Sequence, residues 1–130
     1  MLNKEMMMPK DKFDLDTCKN FYDLTDEAFL EIAPELLTWL QDGNWPIFPE
    51  IIKVFTLKQD IVIDEISKIF DTSDVIWQYW ILSELYPNLS EKNKLFLKEG
   101  LKRCSNKLSL KVKKDDDEIN LLEMLDLILN

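Results

Sequence analysis

Asp-Val-Ile-Trp-Gln-Tyr-Trp-Ile-Leu-Ser-Glu-Leu-Tyr-Pro, residues 74–87, decides the reading of the fold. Between Val75 and Tyr86 only Gln78, Ser83 and Glu84 are frankly polar. A helix over this stretch is apolar almost all the way round, and such a helix must be buried among others. It is therefore expected at the centre of the domain, with Trp77, Trp80, Ile81 and Leu85 each meeting a different neighbour.

Working outward, each flank carries its own helix signals. Asp71 to Ser73 form the turn into the central helix, and a helix at about residues 60–70 precedes it with Ile63, Ile66, Ile69 and Phe70 inward. Pro87 stops the central helix, and Ser90 with Glu91 starts the next, which should turn Leu95, Phe96, Leu97 and Leu101 toward Cys104. Upstream, Thr25 with Asp26 and Glu27 can cap a helix through Phe29, Leu30 and Ile32. Pro34 either kinks that helix or begins a new one, with Leu36, Leu37, Trp39 and Leu40 as the apolar stripe beyond it. Gly43 falls where a left-handed residue would end the helix. Asn44 is placed to cap the following one, with Pro46 and Pro49 in its first turn and Ile47, Ile51, Ile52, Val54 and Phe55 inward. A short helix is expected from Asp14 and Asp16 to Leu24, and a last amphipathic one over residues 119–129 behind four acids, Asp115 to Glu118.

Placing Glu35 on Glu65, an offset of 30, superposes Leu36 on Ile66, Trp39 on Ile69, Asn44 on Asp74, Ile51 on Ile81 and Phe55 on Leu85. Each unit is then a helix, a turn with Asn or Asp, and a second helix, the element of helical-repeat stacks. The expected fold is all-α, a right-handed stack of antiparallel helix pairs with about seven helices. Residues 1–12 lack periodicity and should lie loosely on the surface; residues 13–104 make the helical domain. In residues 105–130 a linker, with Leu108, Leu110 and Val112 alternating with polar residues, leads to a last helix packed on the same domain.

Composition removes whole classes of function. With 130 residues, 46% of them hydrophobic, the chain has enough apolar material for one core without staples. Cys18 and Cys104 have no Cys-x-x-Cys or Cys/His spacing, so free thiols are expected rather than a disulfide or metal centre. The N-terminal residues have neither the apolar run nor the small-residue cleavage site of a secretory signal, and no run approaches the ~18 apolar residues of a membrane span. The expected location is the cytoplasm, with no membrane partner. A net charge of -9, from 25 acidic against 16 basic residues, repels phosphate backbones and argues against nucleic acid. The lysines and arginine at Lys92, Lys94, Lys98, Lys102, Arg103, Lys107, Lys111, Lys113 and Lys114 read as a solvated helix face. No cofactor motif is present, and the chain contains no histidine, the side chain that titrates near neutrality. Acid–base chemistry would fall to carboxylates such as Asp42, Glu50 and Glu84, in a hydrolase or small-ligand pocket, the alternative reading.

Residues 9–14 (Pro-Lys-Asp-Lys-Phe-Asp), 36–47 (Leu-Leu-Thr-Trp-Leu-Gln-Asp-Gly-Asn-Trp-Pro-Ile) and 77–82 (Trp-Gln-Tyr-Trp-Ile-Leu) resemble the motifs of a bacterial family of small proteins known as a domain of unknown function. The resemblance covers roughly residues 9–104 and implies an all-helical fold similar to short HEAT-type repeats. It implies no established activity. Some small bacterial proteins of this kind stand beside secreted toxins as their antidotes, which the resemblance extends to this chain as an implication.

The leading expectation is a non-enzymatic binding protein for an unidentified, basic protein partner. Trp39, Trp77 and Trp80 have core positions as their default, while Trp45 stands in the turn between Asn44 and Pro46 and is the least constrained. Because binding centres favour Trp and Tyr, the candidate partner-binding residues are Asp42, Asn44, Trp45, Tyr79 and Glu84.

Overall fold

The computed structural model describes residues 7–130, and the regular structure among them is entirely helical. Seven α-helices follow in order. They are α1 (Leu15–Lys19, extended by a 3-10 turn Asn20–Asp23), α2 (Asp26–Leu37, extended by a 3-10 turn Thr38–Leu40), α3 (Phe48–Leu57) and α4 (Gln59–Ile69). Then come α5 (Val75–Trp80, widening into a π turn Ile81–Leu85), α6 (Glu91–Ser109) and α7 (Asp116–Leu129).

Five of these starts are written in side chains that accept a free backbone amide, as helix N-termini require. Asp14 accepts from Thr17, Thr25 from Ala28, Asp74 from Trp77, Ser90 from Asn93 and Asp115 from Glu118. Pro34 neither starts nor stops a helix but sits inside α2. Its missing amide deprives the carbonyl of Leu30 of a partner. Leu30 and Pro34 are both exposed, so water reaches that side of the helix.

The first members of the helix pairs, α2, α4 and α6, pack side by side in one row. The second members make another row: α3 meets the π turn of α5, and α5 meets α7. α1 packs on α3, and α6 on α7. Between the rows lie Phe29, Ile32 and Leu36 of α2, Ile51 and Phe55 of α3, Ile66 of α4, Ile81 and Leu85 of the π turn, Leu101 of α6, and Leu121 and Leu125 of α7, each at most 1% exposed. Phe29 and Phe55 join the rows ring to ring, 5.3 Å between centroids.

Several expectations need correcting. The central stretch is not buried all round: Ile76 is 47% exposed, whereas the polar Gln78 is 2% exposed. Gln78 earns its place by donating to the carbonyls of Ile69 (3.0 Å) and Thr72 (2.8 Å) where α4 ends. Leu95 and Phe96 face solvent, while Asn93 is buried because its amide reaches Gln59 and Asp60, 2.8 Å each. On α4 Val62 is buried together with Ile66 and Ile69, whereas Ile63 is only half-buried. Gly43 has no positive φ, and Asn44 caps nothing, since α3 begins four residues later behind Ile47 without a side-chain cap. The expected linker from residue 105 begins later, because α6 continues through Ser109. Of the N-terminal segment, residues 1–6 lie outside the described residues. Met7 and Met8 pack against the core and Pro9 is buried.

The acids before α7 do more than meet the helix dipole. Asp115 and Glu118 form a capping box, each side chain accepting from the other's backbone amide, and Glu118 also receives the Lys111 ammonium. That ammonium first, and the Asp115 amide second, hold the Glu118 carboxyl below its ordinary 4.5. A depressed carboxylate contributes stability above its unfolded pKa and loses it as pH falls through the folded value. Glu118→Gln keeps the oxygen that closes the capping box and removes the charge together with the acceptor for Lys111. The stability difference between wild type and Glu118→Gln should therefore be constant above pH 4.5 and shrink below it. Urea midpoints measured from pH 7 to pH 3 check this, and a difference that does not change would refute it.

Candidate partner-binding face

The connection from α2 to α3 is a tightly tied corner. After the 3-10 turn, Asp42 accepts the Asn44 amide on its carboxylate (2.9 Å) and the Trp45 amide on its carbonyl (3.3 Å). This is the Asx-turn habit of aspartate. The carbonyl of Trp45 then accepts the Phe48 amide (3.0 Å), and the Ile47 amide donates to Lys12 (3.2 Å), tying the corner to the N-terminal segment.

Against this corner lies α5. The Trp77 indole donates to the carbonyl of Leu37, 3.0 Å away, where α2 passes into its 3-10 turn. Trp80 lies on Gly43 itself: a Cβ built on that glycine would fall 2.4 Å from Cε3 and Cζ3 of the indole. Close approach of a ring, not backbone curvature, is why the position is glycine. Trp80 also meets Phe48 edge-on (5.8 Å) and Tyr79 (5.9 Å), while Trp39 and Trp45 meet each other at 5.5 Å. Trp39, Trp45, Tyr79 and Trp80 are all half-buried, each packed on one side and open on the other.

Of the five residues expected to bind, Asp42, Asn44 and Trp45 stand in this one corner. Tyr79 joins it through Trp80 and Gly43. Glu84 is exposed on the π turn, where its carboxylate accepts from the Ser83 hydroxyl (3.2 Å) and its carbonyl from Asn88 (3.0 Å). The sequence reading missed the joint itself, Trp80 on Gly43. Its signal was the scarcity of glycine, two in the chain, with one placed beside an aromatic string.

The three acids considered for catalysis each have a local partner: Asp42 the Asn44 amide, Glu50 the Lys53 ammonium at 3.1 Å, and Glu84 Ser83. The two cysteines are buried and free. Burial foremost, with the charges of Asp14 and Glu50 behind it, pushes the Cys18 thiol up to about 11, and burial likewise raises Cys104. Neither has the electropositive setting of a reactive thiolate. In the basic stretch Lys94 faces Glu91 (3.6 Å), Lys102 faces Glu99 (3.5 Å) and Arg103 faces Asp71 (3.6 Å). Among the described residues no helix is long and apolar enough to cross a membrane, and no group of three or more side chains is arranged to hold a metal ion.

Fold and face define a small all-α domain whose most built surface is an aromatic corner. The chain belongs to a family described as a domain of unknown function (DUF5071), whose model matches residues 7–127. The match reaches past residue 104, where the resemblance stops, and takes in most of α7. No curated protein matches the chain.

Proposed function

We propose that this protein is a non-enzymatic, cytoplasmic binding module of the HEAT-like helical-repeat type, which engages a basic protein partner through the 42–46 corner and Tyr79. In its most specific form the reading is that of an antidote to a basic bacterial toxin. The observation that carries it is two half-open aromatic pairs, Trp39 with Trp45 and Tyr79 with Trp80, the first on a corner fixed by backbone hydrogen bonds and the second joined to it by Trp80 on Gly43. Rigid aromatics with one open side are what protein-binding centres are made of. The two rows of stacked helices supply the rigidity, and the charge of -9 selects the sign of the partner. The local partners of Asp42, Glu50 and Glu84 weigh against the hydrolase alternative.

Trp45 is open and packs on Trp39 alone among rings, so its truncation should leave the fold intact while removing a binding anchor. In cross-linking and affinity purification from the native host, wild type should recover a basic protein. Trp45→Ala should bind that protein roughly 30-fold more weakly, as loss of a hot-spot aromatic does. Co-expression with wild type should relieve any growth arrest that the partner causes. Recovery of no partner above background, or equal binding by Trp45→Ala, would overturn the reading.

A further inference from the structure

Where α5 meets α7, Ile76, Tyr79 and Trp80 on one side and Asp117 and Asn120 on the other enclose an open pocket of about 210 Å³. Its lining has a definite chemical character. Two aromatic side chains, Tyr79 and Trp80, line it, and aromatic rings attract cations. Asp117 supplies a full negative charge; it is exposed, and no cation of the described residues pairs with it. Lys111, on the approach to the same helix, is taken by Glu118. The Asn120 amide adds a carbonyl acceptor. An anion would meet Asp117, and a purely apolar group would desolvate it without compensation. A calcium ion needs six or more oxygens, far beyond one carboxylate and one amide.

A planar guanidinium answers every wall: it stacks on an aromatic face, pairs with a carboxylate through two parallel N–H groups, and its methylene stem covers Ile76. We propose that this pocket seats an arginine side chain presented by the basic protein partner. The proposal rests on the binding function proposed above and names what the partner must carry. The pocket and the corner share one residue, because Trp80 lines the pocket and also lies on Gly43.

The test uses the full chain and acetyl-Gly-Arg-Gly-amide as probe, followed through the Trp80 indole N–H resonance. The arginine peptide should shift that resonance saturably. The citrulline analogue, equal in shape but neutral, should bind at least roughly tenfold more weakly, as should the arginine peptide to Asp117→Asn. Asp116→Asn, the same charge change one residue away but outside the pocket lining, should weaken binding clearly less than Asp117→Asn. No saturable shift, equal binding of citrulline, or equal effects of the two Asp variants would overturn the proposal. Free agmatine binding more tightly than the peptide would overturn the protein partner as the source of the guanidinium. With the native partner in hand, binding that is sensitive to Trp45→Ala but indifferent to Asp117→Asn would sink the arginine pocket and leave the binding function standing. Peptide binding with no partner recovered from the host would sink the binding function instead, and with it the assignment to a partner's arginine.

Discussion

Gly43→Ala is expected to destabilise the protein by about 1–3 kcal/mol, the cost of forcing extra volume into a packed joint. The sign is the informative part. Gly43 does not have the positive φ that penalises alanine. At such a position alanine ordinarily stabilises, by roughly 0.4–1 kcal/mol, through the unfolded chain. Here the added Cβ would stand 2.4 Å from two carbons of Trp80, so either the indole or the corner must move. Moving the indole disturbs Phe48 and Tyr79 with it. Trp80→Leu supplies the control, because a smaller side chain vacates the space. In that background Gly43→Ala should cost nothing or stabilise slightly, and urea denaturation of the four members of the cycle measures the coupling directly. An equal cost in both backgrounds would mean that something other than the indole excludes the methyl.

That joint also marks the limit of what was legible in the sequence. Capping residues were legible because they act on their own neighbours: Thr25, Asp74, Ser90 and Asp115 start helices by bonds that span three residues. Periodicity placed Phe29, Ile51, Phe55, Ile66 and Leu101 inside for the same local reason. Asn44 failed because a cap competes with a turn, and Asp42 had already bound the Asn44 amide. Leu95 and Phe96 failed because they share a stretch with Leu97, and only one face of α6 meets α4 and α7. In the candidate face, Trp45 and Asp42 could be singled out from the turn alone. That Tyr79 comes near them at all, through Trp80 on Gly43, depends on a contact between residues far apart in the chain, which no local pattern encodes. The offset of 30 residues is not kept by the helices: α2 and α4 start 33 residues apart, at Asp26 and Gln59, and α3 and α5 start 27 apart, at Phe48 and Val75, although α2 packs on α4 and α3 on the π turn of α5.

The largest effect is expected at Gln78, because it is the one place where the central stretch buries an amide among apolar neighbours. Its Nε2 donates to the carbonyls of Ile69 and Thr72, and its Oε1 faces the Cys104 thiol at 3.7 Å. The Ile69 carbonyl also receives the Thr72 amide and hydroxyl, so it survives loss of the glutamine; the Thr72 carbonyl has no such reserve. Gln78→Met, of similar length, should therefore cost about 2 kcal/mol, from the loss of the hydrogen bonds that its buried amide makes to Ile69, Thr72 and Cys104. Gln78→Glu should cost more, about 3–5 kcal/mol at pH 7, since an ionised carboxylate would face carbonyl oxygens where it is nine-tenths or more enclosed. Lys107 and Lys111 line the adjoining cavity, but Lys111 is already paired with Glu118, which leaves Lys107 as the moderating charge. Burial raises the folded-state pKa of such a glutamate above its unfolded value of about 4.3. Its stability contribution is then fully present below that value, where the protonated acid can donate to Thr72, and is lost as pH rises through the folded pKa. The variant should approach Gln78→Met near pH 4 and fall away from it toward neutrality, with the comparison to wild type removing the titration of Glu118 and other native groups. Urea midpoints across that range decide the matter: a Gln78→Glu deficit that does not vary with pH would show that the side chain has turned out to solvent and that the end of α4 does not need it.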